Sequence, residues 1–176
     1  QIAFAGESGL TEADYFDLIS KKTAALFSAS CQLGALTVGQ NGKAVENMNA
    51  FGEHYGIAFQ ITDDLLDYLG DERKLGKPTG NDLREGKITL PLIYALEQAS
   101  EAQSAEVRTI LDRGIQSEEE IEFIVQFVKA QGGVDYSLQL VNQYTDQALN
   151  ALDTYPDSAA KQSLIQLIHH SVKREK

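Results

Sequence analysis

The stretch FQITDDLLDYLG, Phe59 to Gly70, decides the fold. Its apolar residues recur at helical spacing, yet it also carries Asp63, Asp64 and Asp67. Extended upstream to Lys43, the pattern predicts one long helix to Leu69. On a wheel of about 100° per residue, Val45, Met48, Phe51, Tyr55, Phe59, Leu66 and Leu69 share a broad face. Ile57, Ile61, Leu65 and Tyr68 widen it, leaving a strip of Gln60, Asp63, Asp64 and Asp67 at i, i+3, i+4 and i+7. A helix apolar around most of its circumference belongs in an interior, so the strip is expected to line an internal cleft. Like charges so placed repel by about 0.2–0.5 kcal/mol per pair even in water, and by more in a cleft unless cations neutralise them. Asp63 and Asp67, one turn apart, can clasp one cation, and hard oxygen donors that leave room for water and phosphate suit Mg²⁺. An ordinary solvated acidic face is the other reading.

Downstream, Gly70 to Lys87 reads GDERKLGKPTGNDLREGK, which its glycines and proline mark as a loop. It holds Arg73, Lys74, Lys77, Arg84 and Lys87, five of the chain's 15 basic residues. Carboxylates to hold a metal, followed by cations to meet oxygens, suit a metal–phosphate complex; a solvated surface loop is the alternative. The order of residues around Gly76-Lys77-Pro78 excludes a Walker loop.

Upstream, Thr11 with Glu12 and Asp14 marks a helix start, and apolar periodicity runs to about Val38. Its face is Tyr15, Leu18, Ile19, Leu26, Ala29, Leu33 and Leu36, with Lys22 in the middle of the stripe and Lys21 pointing away. A lysine there needs an anionic partner or a long reach to the surface. Gly39 to Gly42 breaks the chain; helix resumes near Ile88 with Pro91 in its first turn. Ser117-Glu118-Glu119-Glu120 is a capping box, Gly132-Gly133 ends that helix, and two more follow, divided near Tyr155-Pro156. With no alternating strand pattern or repeat, the expectation is all-α.

Composition narrows the function. The 176 residues suffice for one domain with a core. A formal net charge of -11 argues against nucleic acid or an anionic membrane as partner. The single cysteine, Cys31, excludes a disulfide scaffold and points to a reducing, cytoplasmic setting, with Cys31 as a small core residue. No apolar run reaches the roughly 18 residues that span a bilayer.

The run FQITDDLLDYLGDERKLGKPTGNDLREGKITLP, with Lys22-Thr23 upstream, resembles the second aspartate-rich motif, following loop and lysine–threonine pair of the trans-type polyprenyl diphosphate synthases. The form GNDLREGKITLP is closer to the medium- and long-chain, octaprenyl-like members than to farnesyl diphosphate synthases. The resemblance implies an all-α isoprenoid-synthase bundle around a central cleft, working as a homodimer. The implied reaction joins an allylic diphosphate to isopentenyl diphosphate and releases pyrophosphate, with three Mg²⁺ ions per complete site. Carried over by position, Asp63, Asp64 and Asp67 would be metal ligands, with Asp82 joining through water. Lys22, Lys77 and Lys87 would contact the diphosphate beside Thr23 and Gln60. His54, His169 and His170 have no part in this chemistry.

The chain departs from that family in one respect. It contains no second DDxxD or DDxxxxD, it opens on Gln1, and its single methionine is Met48. Residues 1–176 are therefore expected to be the carboxyl-terminal part of one synthase domain, inactive by itself. The basic end, Lys173 to Lys176, resembles the family's carboxyl terminus. A non-catalytic regulatory subunit of a heteromeric synthase and a class I terpene cyclase are the competing readings.

Overall fold

The computed structural model describes residues 9–69 and 80–172. Among them every regular element is helical: α1 (Glu12–Ile19), a π-helical turn (Ser20–Ala24), α2 (Ala25–Thr37), α3 (Lys43–Leu69), α4 (Asn81–Arg84), α5 (Leu90–Gln98), α6 (Glu101–Arg113), α7 (Glu118–Ala130), α8 (Gly133–Ala151) and α9 (Ala159–Val172). No described helix is long and apolar enough to cross a membrane. The chain divides into two compact units, whose boundaries cut α1, α3 and α8.

One unit holds the described residues up to Tyr15 and Asp63–Leu138. Its core includes Leu65, Tyr68, Leu90, Ile93, Val107 and Ile124, all buried. Its helices start where polar side chains satisfy free amides. Ser100 and Gln103 form a reciprocal capping box on α6, and Ser117 Oγ accepts from Glu120 N–H at 3.4 Å on α7. The Glu120 carboxylate reaches back to Gln116 N–H at 2.9 Å rather than to Ser117. α8 runs so close to α5 that a Cβ on Gly133 would lie 2.1 Å from the Pro91 carbonyl oxygen. Tyr136 stacks on Tyr94 with ring centroids 4.0 Å apart and donates to Glu12 at 2.9 Å. Burial, then that bond, pushes the Tyr136 hydroxyl up to about 12.

The other unit comprises Phe16–Thr62 with the described residues from Gln139 onward. Phe51, Tyr55, Ala148, Leu152 and Ile168 form its centre, with Phe27, Cys31 and Phe59 packed around them. Tyr55 and Ser171 hydroxyls are 2.7 Å apart. Burial raises the half-buried Cys31 thiol. α3 meets the preceding helical run along Gly52, Gly56 and Gln60, one turn apart on one face. A Cβ on Gly52 would lie 2.6 Å from the Phe27 carbonyl oxygen, and one on Gly56 2.6 Å from Ala24 Cα. Only glycine permits backbones that close.

The π-helical turn corrects the expected register. Ala25 N–H bonds back to the Ser20 carbonyl, five residues earlier, so this turn holds one residue more than an α-turn. The buried positions run Tyr15, Ile19, Ala24, Ser28 and Ala35. Beyond the bulge the predicted stripe is rotated outward: Leu26, Ala29, Leu33 and Leu36 are exposed, and so is Lys22. The expected burial of Lys22 among apolar residues is therefore wrong.

Candidate functional site

Asp63, Asp64 and Asp67 lie on α3 as expected, but they meet different surroundings. Asp63 is exposed, Asp64 is buried and Asp67 is half-buried. Adjacent side chains on a helix point about 100° apart, so a strip of this width straddles the edge of the buried face. Tyr15 Oη donates to Asp64 Oδ2 at 2.7 Å. Burial, then the Asp64 charge, holds the Tyr15 hydroxyl well above its ordinary value, so it stays protonated as the donor. Sequence reasoning missed Tyr15, which stands 49 residues from its partner and carries no local signal of the pairing.

Asp67 grips the chain after the loop. Its Oδ1 accepts from Asn81 N–H at 2.8 Å and its Oδ2 from Asp82 N–H at 2.9 Å. Its backbone carbonyl accepts from Gly80 N–H at 3.0 Å. The four-residue helix α4 has glycine at its N-cap, with φ of 79° and no side chain to cap it, so Asp67 supplies the missing acceptor. Gly80 is needed twice over: a Cβ there would also lie 2.3 Å from Ile121 Cγ2. Burial raises the Asp67 carboxyl above its ordinary value, against the downward pull of the two amides.

The result is that Gly80–Lys87, expected as open loop, is a pinned turn. Leu83 is buried, and Arg84 pairs with Glu118, its Nε donating to Glu118 Oε1 at 3.1 Å. Lys87 Nζ donates to Asp82 Oδ1 at 2.8 Å and sits 2.6 Å from Glu85 Oε2. These bonds, Asp82's first, raise the Lys87 ammonium above its ordinary value. Asp67, Asp82 and Lys87 are thus assembled as one group. Lys77 and the basic end Lys173–Lys176 lie outside the described residues.

The π-helical turn spans Lys21, Lys22 and Thr23. Thr23 Oγ1 donates to Gln60 Oε1 at 2.7 Å, so the lysine–threonine pair is fixed against α3 by the glycine-lined approach. Lys21 pairs with Asp17 at 2.7 Å on the surface. His169 and His170 are exposed; burial lowers His54 below the usual imidazole value.

The residues that carry the sequence resemblance, Asp63, Asp64 and Asp67 on α3, Lys22 and Thr23 in the π-helical turn, and Asp82 and Lys87 in and after α4, lie among the described residues. The polyprenyl synthetase family model matches residues 1–128. The chain is 34% identical over 176 residues to octaprenyl diphosphate synthase of Escherichia coli, covering 100% of this chain and 54% of that protein. Its fold matches a decaprenyl diphosphate synthase from Rhodobacter capsulatus with a TM-score of 0.91 at 36% identity, over 100% of this chain and 54% of that one. A polyprenyl synthase from Caulobacter crescentus, complexed with calcium and isoprenyl diphosphate, matches with a TM-score of 0.91 at 33% identity, again over 100% and 54%. The protein belongs to the polyprenyl synthetase family. It spans about half the length of these relatives.

Proposed function

We propose that residues 1–176 are the carboxyl-terminal part of a single synthase domain that condenses an allylic diphosphate with isopentenyl diphosphate. In this reading the segment does not turn over alone, and the complete enzyme is a cytoplasmic homodimer. The observation that carries the reading is the assembled group of Asp67, Asp82 and Lys87, which places acid and ammonium beside the aspartate-bearing helix.

Ionising an allylic diphosphate builds negative charge on the leaving group and positive charge on carbon. Preorganised cations aimed at that negative charge lower the barrier. The Lys87 ammonium has three donors; two face Asp82 and Glu85, and the third would meet a phosphate oxygen. Lys22 and Lys77 would add charge, and Thr23 would hold Gln60 in place to bind beside them.

The residues fit Mg²⁺, which takes one or two carboxylates plus water and phosphate rather than a full protein cage. No group of three or more acid, histidine or cysteine side chains converges among the described residues. Exposed Asp63 and Asp67 one turn on would supply that partial set, with Asp82 joining through water. Asp64 would contribute from its bond with Tyr15. Bound Mg²⁺ would supply neutralisation of the departing diphosphate.

The test is Asp63→Asn in the protein expressed at the full length its gene encodes. At saturating Mg²⁺, kcat for prenyl transfer is expected to fall at least ~100-fold, the scale of losing a group that stabilises the transition-state charge. Unchanged Mg²⁺-dependent turnover would overturn the assignment.

A further inference from the structure

Of the three aspartates on α3, Asp64 is the one turned into the interior, 6% exposed. Tyr15, itself 2% exposed, donates to it, with Oη 2.7 Å from Asp64 Oδ2. A lysine or arginine there would offset the charge of the carboxylate; a neutral hydroxyl orients it and leaves the charge in place. Asp67 is likewise held by neutral donors, the amides of Asn81 and Asp82 at 2.8 and 2.9 Å. Asp82, by contrast, carries the Lys87 ammonium. The hydroxyl of Tyr15 is also firmly mounted. α1 is fixed one turn earlier, where Glu12 accepts from Tyr136 Oη at 2.9 Å and Tyr136 stacks on Tyr94. A tyrosine has only two side-chain torsions, so a ring packed this deeply places its oxygen with little freedom.

We infer that Tyr15 is a positioning residue for the metal–diphosphate site, setting the orientation of the Asp64 carboxylate before any ligand arrives. The inference rests on the function proposed above and adds to it a residue far outside the aspartate-rich run. One rotation sets both oxygens of a carboxylate, so holding Oδ2 fixes where Oδ1 lies. Without the hydroxyl Asp64 would turn, and binding of Mg²⁺ and diphosphate would first have to restore its orientation. Groups that hold a ligating side chain in this way are typically worth about 10–100-fold in metal affinity.

The test reads binding without turnover, in the protein expressed at full gene length. Inorganic pyrophosphate is titrated by calorimetry at a fixed, subsaturating Mg²⁺ concentration. Tyr15→Phe, which removes one oxygen and keeps the ring, is expected to weaken binding at least ~10-fold. Tyr55→Phe is the matched control. It deletes a buried hydroxyl 2.7 Å from that of Ser171 and should leave pyrophosphate binding within about twofold. Because Tyr15 acts through Asp64, Tyr15→Phe should add less than about twofold in an Asp64→Asn background. Equal effects of the two tyrosine variants would overturn the inference, as would a Tyr15→Phe loss that persists undiminished beside Asp64→Asn. Asp63→Asn tells this failure from that of the underlying reading. If it weakens binding while Tyr15→Phe does not, the positioning role alone falls; if neither variant weakens binding, the proposed metal site falls with it.

Discussion

Replacing Asp67 should loosen the turn that carries Asp82 and Lys87 before it affects anything else. The Asp67 carboxylate accepts from Asn81 N–H and Asp82 N–H at 2.8 and 2.9 Å. Hydrogen bonds to a charged group contribute about 1.5–3 kcal/mol each, and more cost falls on a donor left without a partner. Asp67 is only half-buried, so water replaces part of what is lost. A combined local cost of about 2 kcal/mol for Asp67→Ala is reasonable on that basis. It corresponds to roughly 30-fold faster hydrogen exchange at these two amides if they exchange by local opening. Asp67→Asn keeps one acceptor oxygen and should lose about half as much, roughly a fivefold acceleration. Exchange followed by NMR at Asn81 and Asp82, with α6 and α7 amides as internal references, measures both variants. Unchanged exchange in Asp67→Ala, or equal acceleration in the two variants, would refute the anchoring argument.

Other perturbations test the packing around the site. Tyr15→Phe removes the donor to buried Asp64 and should cost about 2 kcal/mol in urea denaturation; an unmoved midpoint would show that the bond contributes nothing. Gly133→Ala sets a methyl 2.1 Å from the Pro91 carbonyl oxygen, a backbone atom that cannot swing aside, and should cost about 3 kcal/mol or more. Gly34→Ala, with nothing near its Cβ, is the control and should stabilise α2 by about 0.5–1 kcal/mol. A mild Gly133→Ala would mean that α5 and α8 can separate cheaply.

Much of this was legible in the residues. The long period of α3, the break at Gly39–Gly42, Pro91 in the first turn of α5 and Gly132-Gly133 between α7 and α8 all stand where local rules put them. The register of α2 was not legible. A wheel assumes one angle per residue, and the extra residue in Ser20–Ala24 rotates everything after it, exchanging Leu26 and Leu33 for Ser28 and Ala35 at the buried side. The same assumption misplaced Lys22. The glycines of Gly70–Lys87 read as loop because local rules cannot see Asp67 capping α4 from another helix. The Tyr15–Asp64 bond was invisible for the same reason, since pairing across 49 residues leaves no mark on local spacing.

The central claim is tested most directly by prenyl transfer itself. The 176-residue chain and the protein expressed at full gene length are each given labelled isopentenyl diphosphate, an allylic diphosphate primer and Mg²⁺, and products are separated by length. The account predicts a Mg²⁺-dependent ladder of products from the full-length protein and none from the 176-residue chain. Turnover by the 176-residue chain would contradict its being an inactive part, and no product from a folded full-length protein across a range of primers would contradict the catalytic assignment.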